Sequence, residues 1–230
     1  KVVNSAFYGL PRQIGSINRA IVLLGLNAVK NIAIAASLTK LFRGGDLCPQ
    51  FSARDLWIHS VACAAGSKLL CDELHLGLPD EAFLGGLIHD LGIMVEMQAL
   101  RNQLIQVFDG LQVAKDGVPG LDMRDVEQKI LGADHCAFGA GLCEAWKFPK
   151  SFTYVTAFHH RPLELSEGSR MLACIVYVAD RMSAKANYGF RSDLRDLEID
   201  PSVLGELKIT AQQVERVQEA LPKVYEEAEA

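Results

Sequence analysis

The segment PDEAFLGGLIHDLG, Pro79–Gly92, decides how this chain is read. Pro79–Asp80 is a helix start, because proline in the first turn forgoes only an N–H that would have no partner there. An early carboxylate also suits the positive end of a helix. Apolar residues fill Ala82–Leu84 and Leu87–Ile88, and the helix is expected to end near Asp90–Gly92. His89–Asp90 therefore stands at the end of an apolar helix. An ionised carboxylate in such company is costly to bury unless a cation or several donors meet it.

Working outward, helical periodicity dominates. A long Ala-rich helix is expected from about Ser52 to Leu74, with His59 in its first half. A helix near Val95–Phe108 follows the quoted segment. The polar stretch Asp109–Gly120 reads as a surface loop. Helices then follow at about Met123–Leu131, His135–Trp146, Lys150–His159 and Ser169–Tyr188. Residues 191–200 are polar with alternating charge. Pro201–Leu207 and Thr210–Glu227 form a last helical pair, the second with Ala211 and Val214 on one face. Upstream, Ser16 is placed to cap a short helix, Ile17–Leu24, closed by Gly25. Asn27 is placed to cap a second, Ala28 to about Phe42, before Gly44–Gly45 and Pro49 break the chain. No useful strand alternation, internal repeat or low-complexity tract is visible. The fold class expected is all-α.

The 230 residues are 50% apolar, enough for one large domain or two small ones with a proper core. Charged residues make up 22%, the formal net charge is −5 and no Lys/Arg run stands out, which argues against nucleic acid as a partner. The unit around Gly25–Asn27 superficially resembles a helix-turn-helix, but its apolar helices read better as an ordinary hairpin. No apolar run reaches the roughly 18 residues that span a bilayer, so a cytoplasmic protein without membrane contact is expected. The six cysteines (48, 63, 71, 136, 143 and 174) contain no C-x-x-C pair and read as free thiols in a reducing compartment. The first residue is Lys, and the chain is expected to begin inside a longer protein.

Chemistry concentrates in a few residues. His59, His89, His135, His159 and His160 lie among apolar or small neighbours, and Asp180 ends the run Met171–Ala179. Neutral imidazole with carboxylate is the ligand set of a borderline divalent ion such as Zn, Mn or Fe. Each residue alone has a plainer reading: a hydrogen-bonded core histidine, or Asp180 paired with Arg181 or Arg170. The residues by themselves leave both open.

The order of motifs then resembles a known family. NSAFYGLPRQIGSINRAIVLLGLNAVKNIAI (Asn4–Ile34) resembles the signature of the HDOD domain, the HD-related output domain of bacterial signalling proteins. LWIHSVACAAGSKLL, the quoted segment, LGADHCAFGAGLCEAWKFP, AFHHRP and ACIVYVADRMSA continue it in order, covering almost all of residues 1–188. The resemblance implies an HD-domain-like multi-helix bundle related to the HD phosphohydrolases, lacking here the helices that normally precede the first block. It implies an N-terminally incomplete HDOD domain over 1–190, and 191–230 as a helical extension packing on the core.

By motif position the resemblance makes His59, His89, Asp90 and Asp180 ligands of one divalent metal. His135, His159 and His160 match the positions that hold a second metal in the related HD-GYP phosphodiesterases. Asp55, four residues before His59 on the same helix face, is a possible additional ligand. Two departures weaken hydrolysis without weakening metal binding. Ile93 stands where the cyclic-dinucleotide-cleaving enzymes carry a Lys, and Arg161–Pro162–Leu163 follows His160 where their Gly-Tyr-Pro would stand.

The function expected is therefore a non-catalytic output or regulatory domain with a metal-competent pocket for one or two Fe, Mn or Zn ions. Its partners would be signalling proteins or fused sensor or receiver domains. The alternative is a metal-dependent phosphohydrolase acting on a nucleotide or cyclic dinucleotide. There two metals would activate a water, with Arg161 or Arg181 available to phosphate oxygens.

Overall fold

In the computed structural model, residues 21–22, 25–38, 42, 45–114 and 117–229 are described. Ser16 and most of the helix expected at Ile17–Leu24 lie outside them. Gly25 adopts φ +85°, the left-handed conformation that ends a helix. Helix α1 (Leu26–Leu38) follows, so Asn27 falls inside it rather than before it. A two-stranded antiparallel ladder, Asp46–Cys48 with Phe51–Ser52, is too short to have left an alternating pattern.

Helix α2 (Ala53–Glu73) is the axis of the fold. Ser52 caps it, its hydroxyl accepting from the Asp55 N–H at 3.0 Å. Ala62, Cys63, Ala64, Ala65, Gly66 and Ser67 are all buried, so neighbours approach α2 from several sides. Those neighbours are α3 (Pro79–Ile88), α9 (Met171–Lys185) and α11 (Ala211–Glu229). Small residues make the approach possible. A Cβ at Gly86 of α3 would lie 2.6 Å from the Cys63 carbonyl oxygen.

The helix expected near Val95–Phe108 is two helices, α4 (Leu91–Ala99) and α5 (Arg101–Gly110). The run Pro79–Ala99 meets α5 at a bend of 117°. Neither Gly nor Pro marks the bend. Burial drives it: α5 turns its Leu104, Val107 and Phe108 inward, and Phe108 stacks on Phe51 at 4.9 Å. Gly110 is therefore helical, and the expected loop begins after it.

Helices α6 (Met123–Leu131), α7 (His135–Ala145) and α8 (Lys150–Phe158) follow, capped at α6 and α7 by Asp122 and Asp134. Gly132, at φ +84°, closes α6. Helix α7 lies across α4 and α8. After α9 come α10 (Pro201–Leu207) and α11. Helix α11 buries Val214, Val217, Leu221 and Tyr225, whereas Ala211 at its start is exposed. All six cysteines are free, and five of them are buried. Among the described residues, no single helix is long and apolar enough to cross a membrane.

Among the described glycines, the tightest approach is between α4 and α7, where a Cβ at Gly92 would collide with the His135 carbonyl oxygen. Overpacking of this kind costs about 1–3 kcal/mol. Gly92→Ala should lower the unfolding free energy by at least that, measured by urea denaturation. Gly141→Ala, on the open side of α7 with nothing within 4 Å, should be stabilising by about 0.5–1 kcal/mol.

Candidate metal centre

The ends of helices carry polar side chains to one buried point. His59 projects from the second turn of α2 and Asp180 from the middle of α9. His89 and Asp90 occupy the junction between α3 and α4. His135 opens α7, and His159 and His160 close α8. His59, His89, Asp90, His135, His159 and Asp180 are no more than 1% exposed.

Distances knit these into a continuous cluster. His59 Nε2 lies 3.1 Å from Asp180 Oδ1, and His89 Nε2 lies 3.2 Å from Asp90 Oδ2 and 3.9 Å from Asp180 Oδ1. On the other side, Asp90 Oδ1 stands 3.3 Å from His159 Nε2 and 4.0 Å from His135 Nε2. His135 and His160 bring their Nε2 atoms within 2.9 Å of each other. Asp90 thus joins two groups: His59, His89 and Asp180 on one flank, and the three remaining histidines on the other.

The hydrogen bonds fix which ring nitrogens face inward. His89 Nδ1–H donates to the Gly86 carbonyl at 2.7 Å. His159 Nδ1–H donates to the carbonyls of Thr156 and Val155 at 3.1 and 3.2 Å. His135 Nδ1–H donates to the Glu127 carboxylate at 2.8 Å. In each case the outer nitrogen is held by a protein acceptor and Nε2 is left pointing into the cluster. That is how second-shell acceptors orient metal-ligating histidines. The inward atoms face one another as ion pairs at 3.1–3.3 Å, but Nε2 of His59, His89 and His159, and both carboxylate oxygens of Asp90 and Asp180, make no well-formed hydrogen bond. Buried polar atoms are ordinarily satisfied, and each unsatisfied one costs about 1–3 kcal/mol, more if charged. A divalent cation among these atoms would remove the deficit at once, so the residues present fit such an ion.

Titration behaviour agrees. Burial and the neighbouring His159 and His135 hold His160 well below the usual histidine value, and burial lowers His159. Both are therefore neutral imidazoles, the form that binds metal. Burial also opposes charge on His89 and His135, but Asp90 and Glu127 outweigh it and raise both. A cation entering the cluster would displace those protons.

Asp55 lies outside the cluster. It is exposed in the first turn of α2, and its carboxylate accepts from the Ser52 hydroxyl at 2.8 Å. Arg161 pairs with Glu164 at 3.4 Å. Arg181 is buried against the Tyr177 ring, with Nη1 3.9 Å from Asp180. Arg170 pairs with Glu206 instead of Asp180.

Other residues at the centre were not singled out from the sequence. Asp193, in the segment after α9, is buried with Oδ2 3.7 Å from His160 Nε2. Cys136 groups with His135, His159 and His160 closely enough to share an ion. Glu127 accepts from both the backbone N–H and the ring of His135, and Glu96 is buried behind it. Glu127 could have been suspected, as a lone acidic residue eight positions before His135 on an otherwise core-facing stripe. Asp193 had no such signal among Arg191, Arg195 and Asp196.

Comparison with known proteins fixes the relationship. The HDOD domain family model matches residues 1–162. The chain belongs to the HDOD family. A curated relative, an uncharacterised protein of Treponema pallidum (strain Nichols), is 23% identical over 165 residues. The alignment takes in 70% of this chain but only 30% of that protein. Among solved structures, an HDOD domain protein of unknown function from Geobacter sulfurreducens superposes with a TM-score of 0.78 at 20% identity. It covers 99% of this chain and 78% of its own. A Marinobacter aquaeolei VT8 protein, named provisionally as a signal transduction protein, gives 0.76 at 20% identity, covering 99% of this chain and 50% of its own. At such identities these likenesses speak to the HDOD fold alone.

Behind the centre, Glu96 is pushed up to about 9 by burial and by the Glu127 carboxylate. It stays protonated at neutral pH. Its carboxyl keeps a proton that the unfolded chain releases, so stability falls as pH rises between the ordinary carboxylate value and about 9. The slope is at most about 1.4 kcal/mol per pH unit. Glu96→Gln should flatten this dependence, as read by urea denaturation at several values between about pH 6 and 8.

Proposed function

We propose that this chain is a regulatory output module of a bacterial signalling protein whose His/Asp centre holds one or two divalent cations without hydrolysing a substrate. The observation that carries the metal reading is the set of buried, inward-facing Nε2 and carboxylate atoms that converge within ion-pair distance yet make no hydrogen bond. His59, His89, Asp90 and Asp180 would hold one ion. His135, His159 and His160 would hold the second, with Asp90 shared between them. Fe, Mn and Zn all accept this nitrogen-rich donor set, and Cys136 near the second position adds a soft donor.

Two features support a non-catalytic role. Ile93, fully buried, stands where a Lys able to stabilise phosphate charge would be needed. Six of the seven residues of the centre are also buried, with only His160 reaching the surface, whereas catalytic metal sites keep a position open to water or substrate. The module would act through partner domains or proteins of a cytoplasmic signalling pathway, in keeping with the signal-transduction name of the Marinobacter relative. The domain proper would take in residues 1–190. The segment 191–230 would extend it, with α11 seated on α2 through Leu221 against Gly66 and Arg216 against Glu73.

A second reading, metal-dependent phosphohydrolysis of a nucleotide or cyclic dinucleotide, is favoured by one observation: a surface depression of about 370 Å³ reaches His160. When bound, the cations would lower the pKa of a coordinated water and offset phosphate charge. The protein's own share would be orientation of the histidines by Gly86, Glu127, Val155 and Thr156.

Elemental analysis of protein purified without chelator should find about one or two equivalents of Fe, Mn or Zn. Less than about one-tenth of an equivalent, with no uptake on reconstitution, rejects the metal reading. The loaded protein should leave a generic phosphodiester intact. Turnover that His89→Ala abolishes would establish the hydrolase instead.

A further inference from the structure

Asp193 is the part of the centre that neither motif order nor the metal reading requires. It lies on the segment between α9 and α10, and that segment is firmly held. Asn187 and Tyr188 N–H groups return to the carbonyls of Ala184 and Ser183, ending α9. Gly189 takes φ +64° and passes so close to α2 that a Cβ would collide with the Asp55 carbonyl oxygen. The Phe190 N–H then donates to that same carbonyl at 3.1 Å, and the Phe190 ring packs edge-on against Phe51 and Phe108. Leu194 is buried immediately after. Between these two apolar anchors the backbone delivers Asp193 inward.

What Asp193 meets there is unfavourable in the protein alone. Both of its oxygens are buried and make no hydrogen bond. Its oxygens, His160 Nε2 and an Asp90 oxygen lie close enough together to share one ion. The charges of Asp90 and Asp180 both act on it. Three buried carboxylates thus belong to one cluster. Among the described residues, the one Lys or Arg cation within 4 Å of them is Arg181, beside Asp180. A well-anchored loop that forces a third carboxylate into this pocket makes physical sense when positive charge is already there.

We propose that Asp193 is a metal ligand supplied by the loop, binding the cation held by His135, His159 and His160 and taking the coordination position that a phosphate oxygen or hydroxide would otherwise fill. This rests on the metal reading above and deepens it: the centre is self-liganded and therefore closed. The Asp193 carboxylate contributes the anionic oxygen that, in a hydrolytic site, substrate or water contributes.

The test uses the whole chain reconstituted with cobalt, comparing wild type with Asp193→Asn and Asp193→Ala. Metal equivalents and the cobalt absorption spectrum are read with and without inorganic phosphate. Wild type should take up cobalt and keep its spectrum unchanged in millimolar phosphate. Both variants should bind cobalt about tenfold or more weakly, and their spectra should shift when phosphate is added. Thermal melts separate a ligand from a packing residue. In chelator, Asp193→Asn should melt above wild type, because one buried charge is gone; with cobalt, the order should reverse. Variants that bind cobalt as tightly as wild type, respond to phosphate as it does, or melt lower both with and without metal overturn the role of Asp193 while leaving the metal reading intact. Failure of wild type to take up cobalt at all overturns the metal reading, and this inference with it.

Discussion

Buried charge governs this structure. Asp90, Asp180 and Asp193 are buried in one cluster, together with imidazole nitrogens whose outer N–H groups are already engaged by the protein. The desolvation penalty for each buried ion is several kcal/mol, and a domain's whole stability is about 5–15 kcal/mol. Such a cluster is tenable because the surrounding packing is dense and because the carboxylates lie within ion-pair distance of imidazoles and Arg181. The architecture serves that end. Helix α2 is made thin by Ala, Gly, Ser and Cys so that α3 and α9 can press against it, bringing His89 and Asp180 up to His59.

Much of this was legible in the sequence. The helical period, the helix start at Pro79 and the polar residues at the ends of apolar runs all point to an all-α domain with a histidine-rich interior. The parts that escaped did so for physical reasons. The bend at Leu100 has no Gly or Pro to announce it, because it is set by where Val107 and Phe108 find partners. Asp55 shares a helical face with His59 by spacing, but in the first turn of a helix a carboxylate is drawn to the open end, and the Ser52 hydroxyl holds it there. Asp193 sits in a run of alternating charge that looks fully solvated. Its inward direction is decided by the aromatic ring three residues earlier and the leucine one residue later.

The HDOD fold gathers its chemistry at one point. His/Asp groups that could hold a metal come together from α2, α7, α8 and α9 and from the junction between α3 and α4. Ile93, fully buried, packs with the hydrophobic core beside them. Residues far apart in the chain are thereby tied to a single buried cluster.

One contact bears on how such a domain can evolve. Gly92 of α4 faces Gly139 and the first turn of α7 with no side chain between them, a Cβ at Gly92 falling 2.8 Å from the Gly139 nitrogen. The separation between Asp90 and His135, and so between the two flanks of the centre, is set by main chain resting on main chain. Substitutions elsewhere in the core can drift and compensate one another, but none can re-space these two flanks while the pair of glycines is retained. The distance between the two flanks of the cluster is thus inherited with the backbone, and a descendant chain that needed a different spacing would have to abandon this crossing altogether.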